Sequence, residues 1–184
     1  EAVALLVLSE PIITVMFQRG EFGPASTLAT SHALVAFASG LPAFVLVKIV
    51  SPVFYAHHDT RTPFKIALVC VAVNLFFNLA LMVPLRYVGM AVATSLASWT
   101  NVVMMVVILR RRAWLVVERR LVVQAAKTLI CCLAMALVLY ALQSYTRADI
   151  AAGEVRRFLA LVVIVISGLT IYLLGGLVLN VMDE

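Results

Sequence analysis

Charged residues are scarce in this sequence. Asp, Glu, Lys and Arg make up 12% of the 184 residues, against about 25% in an average soluble domain, whereas 64% of the residues are hydrophobic. No polar stretch is long enough to link separately folded domains, and neither a low-complexity tract nor a short repeat is present. The composition excludes an ordinary soluble domain and predicts a membrane protein.

Cysteine and acidic residues are also few. Cys70 stands alone and Cys131 and Cys132 are adjacent, so neither metal-ligand spacing nor a CxxC redox pair is present; we interpret all three as small apolar residues of a helical bundle. The nine acids leave a net charge of +5, but the basic residues lie between apolar stretches and not on one soluble face with interleaved aromatics. A nucleic-acid partner is therefore not expected.

Six apolar stretches follow one another along the chain. A hydrocarbon core of about 30 Å needs roughly 20 helical residues, and lipid leaves no unpaired backbone amide, so each stretch is predicted to be a helix. The fold class is all-α, a polytopic transmembrane bundle. The first stretch is short and begins without a basic region, so we interpret it as a cut helix and the chain as a C-terminal fragment. The six stretches are 2–17, 29–56, 66–85, 88–109, 121–142 and 158–182.

Basic residues between the stretches predict the orientation. Eight Lys and Arg residues lie at or near the breaks 56–65 and 110–127, against five in the alternate breaks. By the positive-inside rule, the breaks 56–65 and 110–127 are cytoplasmic, and so is the C-terminus.

Charges close to prolines mark candidate transport residues. Lys48 lies between Pro42 and Pro52 in the stretch 29–56, which is predicted to bend twice. A lysine in hydrocarbon costs about 2.5 to 3.5 kcal/mol, so Lys48 either faces a water-filled cavity or snorkels to the interface. Glu10, beside Pro11, either lines an aqueous cavity or lies near the outer interface.

Polar side chains in two consecutive spans suggest either a cation site or helix packing. Asn74 and Asn78 are four residues apart and share one helix face, and Thr94 and Ser95 lie in the next span, which is antiparallel. Oxygen ligands converging there could hold a monovalent cation, whereas small polar residues between membrane helices more often contribute about 0.6 kcal/mol of hydrogen bonding.

The break 56–65 contains the only residues that resemble an enzyme site, His57, His58 and Asp59. Three consecutive residues do not face one ion without a special turn, so we assign the histidines to a solvated turn. Asp59 is predicted to cap the next helix, which has Pro63 in its first turn, and Arg61 is predicted to anchor the cytoplasmic end with Lys65.

The same stretch resembles a known family. The runs Gly40-Leu41-Pro42-Ala43-Phe44, Pro52-Val53-Phe54-Tyr55-Ala56 and Asp59-Thr60-Arg61-Thr62-Pro63 are similar to the lipid II flippases of peptidoglycan synthesis, the MurJ (formerly MviN) family. Ser9-Glu10-Pro11 with Phe17-Gln18-Arg19-Gly20-Glu21-Phe22, and Gly89 through Leu96 with Asn101, fit as well. The motifs cover about 1–112, and the remaining residues match by hydropathy and position.

The resemblance implies a transporter of the multidrug/oligosaccharidyl-lipid/polysaccharide exporter superfamily, with fourteen helices in two lobes that alternate between inward-open and outward-open states. This chain would supply the truncated ninth to the fourteenth helix, with 1–112 in the second lobe and 113–184 forming a basic loop and two C-terminal helices. Its substrate would be lipid II, its surroundings the lipids of the bacterial inner membrane, and its partner the missing N-terminal part of the same protein. No enzyme activity and no resident cofactor are implied.

The resemblance also implies site residues. The cavity arginines of the family lie on helices absent from this chain. A sodium site known in some members matches Asn74, Asn78, Thr94 and the Met90 carbonyl, although Asn78 stands where that site has an acid; Na⁺ would be a coupling ion. Apart from the resemblance, the candidate cavity or gating residues of the sequence are Lys48, Glu10, Asp59 and Arg61.

The residues alone leave other functions open. These are a sibling exporter of O-antigen lipid carriers or drugs, a polytopic membrane enzyme, and a helical scaffold of a cell-wall complex.

Overall fold

The computed structural model describes the backbone of residues 2–17, 23–114, 119–151 and 154–178, and the side chains there except 119–122, 145–151, 154–157, 160 and 173–178. Those ranges contain five helices and no strand, which confirms the predicted all-α fold. The helices are α1 (Ala2–Phe17), α2 (Pro24–Ala56), α3 (Arg61–Arg111), α4 (Arg119–Ala151) and α5 (Glu154–Val178).

Helix α3 contains two of the predicted spans. Its 51 residues would extend about 77 Å if straight, more than twice the thickness of the hydrocarbon core. Arg86, however, has the non-helical angles φ 50° and ψ −129°. A Cβ on Gly89 would collide with the carbonyl of Leu81, whereas residues eight apart in a straight helix are about 12 Å apart. The chain therefore reverses at Arg86, and the halves 61–85 and 87–111 are antiparallel.

Helices α2, α3 and α4 extend beyond the apolar stretches that predicted them. α2 begins five residues before the predicted position 29, and α3 begins at Arg61 instead of 66, which shortens the break after α2 to 57–60. Both helices continue through polar residues beyond the apolar stretches, because the backbone hydrogen bonds of a helix form outside the hydrocarbon core as well as inside it. α2 runs as one helix through Pro42 and Pro52, and its two bends stay a prediction.

The described residues form two compact units. One combines residues 32–116, that is, most of α2 with both halves of α3. Its core consists of Phe54, Ile66, Cys70, Met105 and Leu109. Because Ile66 and Cys70 precede the reversal and Met105 and Leu109 follow it, this core holds the two halves of α3 together. The predicted boundary between 112 and 113 divides the chain by lobe and stays a prediction.

The other unit combines α1, the start of α2, α4 and α5. Leu8, Met135, Leu139 and Ile164 form its core. α5 lies close to α4, since a Cβ on Gly168 would come within 2.9 Å of Leu139 Cδ2. Gly168 therefore serves close helix packing.

Large apolar side chains cover the outside of both units. Val83 is 86% exposed, Leu137 71% and Phe76 67%. Within the described residues, α2, α3 and Val123–Ser144 of α4 are long and apolar enough to cross a membrane, and α1 and Leu161–Tyr172 are shorter apolar helices. With α3 reversing at Arg86, the architecture is consistent with the predicted six membrane helices.

Candidate functional site

Asn74 and Asn78 lie on one face of the first half of α3, as their spacing predicts. Asn78 Nδ2 donates a hydrogen bond of 2.7 Å to Asn74 Oδ1. Asn78 Oδ1 is buried and has no hydrogen-bond partner among the described residues. A buried amide oxygen without a donor is unfavourable, so this atom has the capacity to accept a hydrogen bond or to coordinate a cation.

Met90 and Thr94 lie just after the reversal of α3. The Thr94 hydroxyl donates to the Met90 carbonyl at 2.9 Å. The antiparallel halves place residues 74–78 and 90–94 at similar levels, because Leu81 meets Gly89 on one side of them and Cys70 shares a core with Met105 on the other. No hydrogen bond joins the asparagines to Met90 or Thr94 in the part of the chain that the structure describes.

Helix α2 is tied to the second half of α3 by polar contacts close to Pro42. Ser95 Oγ donates to the Ala36 carbonyl at 2.5 Å, and Trp99 Nε1 donates to the Ser39 carbonyl at 3.1 Å. A Cβ added to Gly40 would lie 2.6 Å from Ser95 Oγ, so the two helix backbones approach closely. These helices run parallel, since Ala36 meets Ser95 at one level and Phe54 packs with Leu109 further along.

The predicted charged residues of the membrane stretches are exposed. Lys48 and Glu10 both lie on the outside of the described packing, and neither has an ion pair within the described residues. Pro11, next to Glu10, is buried. The exposure is compatible with both interpretations of Lys48, the cavity and the interface.

Asp59 caps α3, as the sequence predicts. Its Oδ1 accepts the Thr62 backbone N–H at 3.0 Å and its Oδ2 accepts the Thr62 hydroxyl at 2.6 Å. These two hydrogen bonds, helped by Arg112, lower the pKa of Asp59 from 3.8 to about 2, so the carboxylate is ionised at neutral pH. Arg61, the first residue of α3, is exposed and has no ion pair among the described residues.

The sequence did not indicate the partner of Asp59. Arg112, at the end of α3, forms an ion pair with Asp59 Oδ2 and donates a second hydrogen bond of 3.1 Å to the Thr62 hydroxyl. Trp114 stacks on His57 with ring centroids 4.0 Å apart. The turn 57–60 and residues 112–114 therefore lie together, and the cytoplasmic location of the breaks 56–65 and 110–127 stays a prediction.

A metal site at the histidines finds no support in the described residues. No group of three or more His, Cys, Asp or Glu side chains that could hold a metal ion occurs there. His57 and His58 are both exposed, and the imidazole of His57 lies against an indole instead of a carboxylate.

Comparison with known proteins identifies the family. The family model "Lipid II flippase MurJ" matches residues 1–163. The chain belongs to the MurJ family of lipid II flippases. This family consists of transporters, which decides against a polytopic membrane enzyme, and together with the apolar helices it makes the chain part of a multi-pass membrane protein.

Individual relatives agree. A protein of Rickettsia prowazekii (strain Madrid E) is 40% identical over 141 residues, which are 77% of this chain and 28% of the relative. A protein of Rhizobium meliloti (strain 1021) is 47% identical over 103 residues, 56% of this chain and 19% of the relative. Both are named "Probable lipid II flippase MurJ". The chain thus spans less than a third of their length.

A solved structure shows the same fold. It is described as "Lipid II flippase MurJ, inward closed conformation", and it matches with a TM-score of 0.70 at 24% identity, over 95% of this chain and 34% of that chain.

Proposed function

We propose that this chain forms part of a lipid II flippase that moves the undecaprenyl-pyrophosphate-linked peptidoglycan precursor from the inner to the outer leaflet of the bacterial cytoplasmic membrane, for cell-wall synthesis. The observation that carries the proposal is the family match over residues 1–163. The apolar exterior of both units agrees with a transporter embedded in lipid. Transport by alternating access requires no covalent chemistry from these residues.

This stretch takes part in the movement of the transporter and not in a chemical reaction. Its partners are membrane lipids, the remaining helices of the same protein and lipid II. Lys48 and Glu10 are exposed on the described surface. We assign them to the cavity, because a charge inside a membrane span is retained at a cost of about 2.5 to 3.5 kcal/mol for lysine and usually marks a transport pathway.

We also propose Na⁺ as a coupling ion, held by oxygens of Asn74, Asn78, Met90 and Thr94. The buried Oδ1 of Asn78 supports this assignment, because no group in the described part of the chain donates a hydrogen bond to this oxygen. All four groups supply neutral oxygens, which suit a hard monovalent cation. Bound there, the ion would bridge the two halves of α3 and so favour one arrangement of the helices.

The transport proposal is tested with a chimera, that is, a complete family protein in which this chain replaces the matching stretch. The chimera is produced in cells depleted of their own flippase, and the lipid II exposed at the outer leaflet is measured. We expect exposure to be restored, whereas a chimera carrying an unrelated six-helix segment at the same level restores nothing. Lipid II that stays in the inner leaflet despite normal levels of the first chimera would refute the proposal.

The ion is tested separately by thermal unfolding of the purified chimera. Na⁺ is expected to raise the melting temperature more than K⁺ does, because a ligand of the folded state alone stabilises it. Thr94→Ala should abolish the difference. Thr100→Ala is the matched control, since the Thr100 hydroxyl donates to the Leu96 carbonyl in the same way but is not a proposed ligand. Equal responses of the two variants would remove Na⁺ from this site.

A further inference from the structure

Helix α2 ends in a left-handed turn. The Asp59 N–H donates to the Phe54 carbonyl at 2.9 Å, and the His58 N–H donates to the Tyr55 carbonyl at 3.0 Å. His58 has a φ of 56°, which is the position of such a helix end that usually carries glycine. A residue with a Cβ is strained there, so contacts around the turn must favour this conformation.

Helix α3 ends in the same way. The Trp114 N–H donates to the Leu109 carbonyl and the Ala113 N–H to the Arg110 carbonyl, both at 3.1 Å. Ala113 has a φ of 55°, again without being glycine. Since α2 and the second half of α3 are parallel neighbours, two helices with the same strained ending terminate side by side.

An ion pair connects the two endings. Asp59 is the only acid between residues 32 and 116, a range that holds seven Lys and Arg residues. Its carboxylate is oriented by Thr62, and Arg112 contacts both Asp59 and the Thr62 hydroxyl. Thr62 fixes the acceptor, and the pairing involves Arg112, whereas neither Arg110 nor Arg111 forms an ion pair among the described residues.

Aromatic contacts connect the endings a second time. Trp114 stacks on His57 with an angle of 10° between the rings, and it meets Phe54 edge-on with centroids 6.3 Å apart. The Arg112 guanidinium carbon lies 4.8 Å from the Trp114 ring centroid, within the range of a cation–π contact. The indole therefore contacts the last turn of α2, the residue after it and the arginine of the ion pair.

From these contacts we propose that Asp59, Thr62, Arg112, Trp114 and His57 form a clamp that makes the adjoining ends of α2 and α3 one rigid body, which stays closed while the transporter changes state. Arg112 is then a positioning residue: it acts through Asp59 on both helix ends and does not contact the substrate. The closed clamp follows from the local geometry, whereas its part in transport rests on the proposed function.

The first test measures the clamp without transport. Spin labels are attached to cysteines at Thr60 and Ala113, both exposed, in a chimera whose native cysteines are replaced by alanine, and their separation is measured by pulsed electron resonance in lipid bilayers. We expect one narrow distance, unchanged by Na⁺ or by purified lipid II. Arg112→Ala should broaden the distribution, Arg112→Lys should broaden it less, and Arg111→Ala should leave it unchanged. A distance that shifts with either addition, or equal effects of Arg112→Ala and Arg111→Ala, would overturn the clamp.

The second test links the clamp to transport. In Asp59→Cys/Arg112→Cys the ion pair is absent, and we expect lipid II exposure to fall. A short bifunctional thiol reagent that joins the two cysteines should restore it, because a covalent bridge replaces the ion pair in a body that does not open. If the bridge abolishes the remaining transport, the ends separate during the cycle and the proposal is wrong. A spin-labelled chimera with native Asp59 and Arg112 that shows the narrow distance but never exposes lipid II would refute the proposed function and leave the clamp in place.

Discussion

Gly40→Ala tests the contact between α2 and α3 most directly. The new methyl group would lie 2.6 Å from Ser95 Oγ and 3.0 Å from Ser95 Cα, whereas favourable carbon contacts lie at about 3.5 to 4.0 Å. Rotating the serine relieves the first contact but not the second, because Cα belongs to the backbone. The helices must therefore move apart by about 0.5 Å, the shortfall from an ordinary contact.

The net effect on the free energy of unfolding combines three terms. Overpacking costs about 1 to 3 kcal/mol. Loss of the hydrogen bond from Ser95 to the Ala36 carbonyl adds about 0.6 kcal/mol, the average for such bonds between membrane helices. Replacing a glycine inside a helix by alanine stabilises the folded state by about 0.5 to 1 kcal/mol. The sum is a destabilisation of about 1 to 3 kcal/mol, which corresponds to a melting temperature lower by several degrees.

The assay uses cysteines that the chain already has. Cys70 and Cys131 are buried, so a thiol-reactive fluorophore reports their exposure as the protein in detergent is heated. Gly23→Ala is the matched control, because no atom lies within 4 Å of its added Cβ. Combining Gly40→Ala with Ser95→Ala should cost less than the two single changes added, since the alanine removes the nearest atom. Equal melting temperatures for Gly40→Ala and Gly23→Ala would refute the close approach.

Four further outcomes are expected. A cysteine at Ala113 should react with a membrane-impermeant reagent only after cells are opened, and one at Ala151 in intact cells with a permeabilised outer barrier; labelling of Ala113 in intact cells would reverse the topology. Lys48→Met should reduce lipid II exposure at normal protein level, and full activity would assign Lys48 to the interface. His58→Gly should raise the melting temperature by relieving the positive φ, and a decrease would contradict the strain. Because the pKa of Asp59 is lowered to about 2, its contribution is complete above the unfolded pKa and is lost only as the pH falls through about 2; in a His57→Phe variant the spin-label distance should therefore not change between about pH 5 and 9, and a change there would exclude this assignment.

Features encoded by neighbouring residues could be predicted from the sequence. Hydropathy separates the spans on either side of Arg86, because a membrane span has a length fixed by the bilayer. The four-residue spacing of Asn74 and Asn78 predicts a shared face, and the structure has them hydrogen bonded. Asp59 was predicted as a cap because its helix starts within three residues of it.

Features that depend on the approach of distant segments could not be predicted. Asp59 and Arg112 are 53 positions apart, and no local pattern selects Arg112 from three consecutive arginines. The choice depends on how Thr62 orients the carboxylate and where α3 ends, both of which require the packed core. In the sequence, Gly40 stands out only as part of a Gly-Leu-Pro run. Its role in the close approach of α2 and α3 depends on Ser95 lying against it, which the sequence does not show. The non-helical conformation of Arg86 likewise could be predicted only if the reversal of α3 were already known.

The scarcity of acids limits what the candidate cation site can bind. Asp59 is the only carboxylate between residues 32 and 116, and Arg112 already neutralises it at the end of the helices. If a cation binds there, the oxygens of Asn74, Asn78, Met90 and Thr94 would offer it no formal negative charge from this part of the chain. Divalent ions such as Mg²⁺ and Ca²⁺ are usually held by carboxylates, so this set favours a monovalent ion.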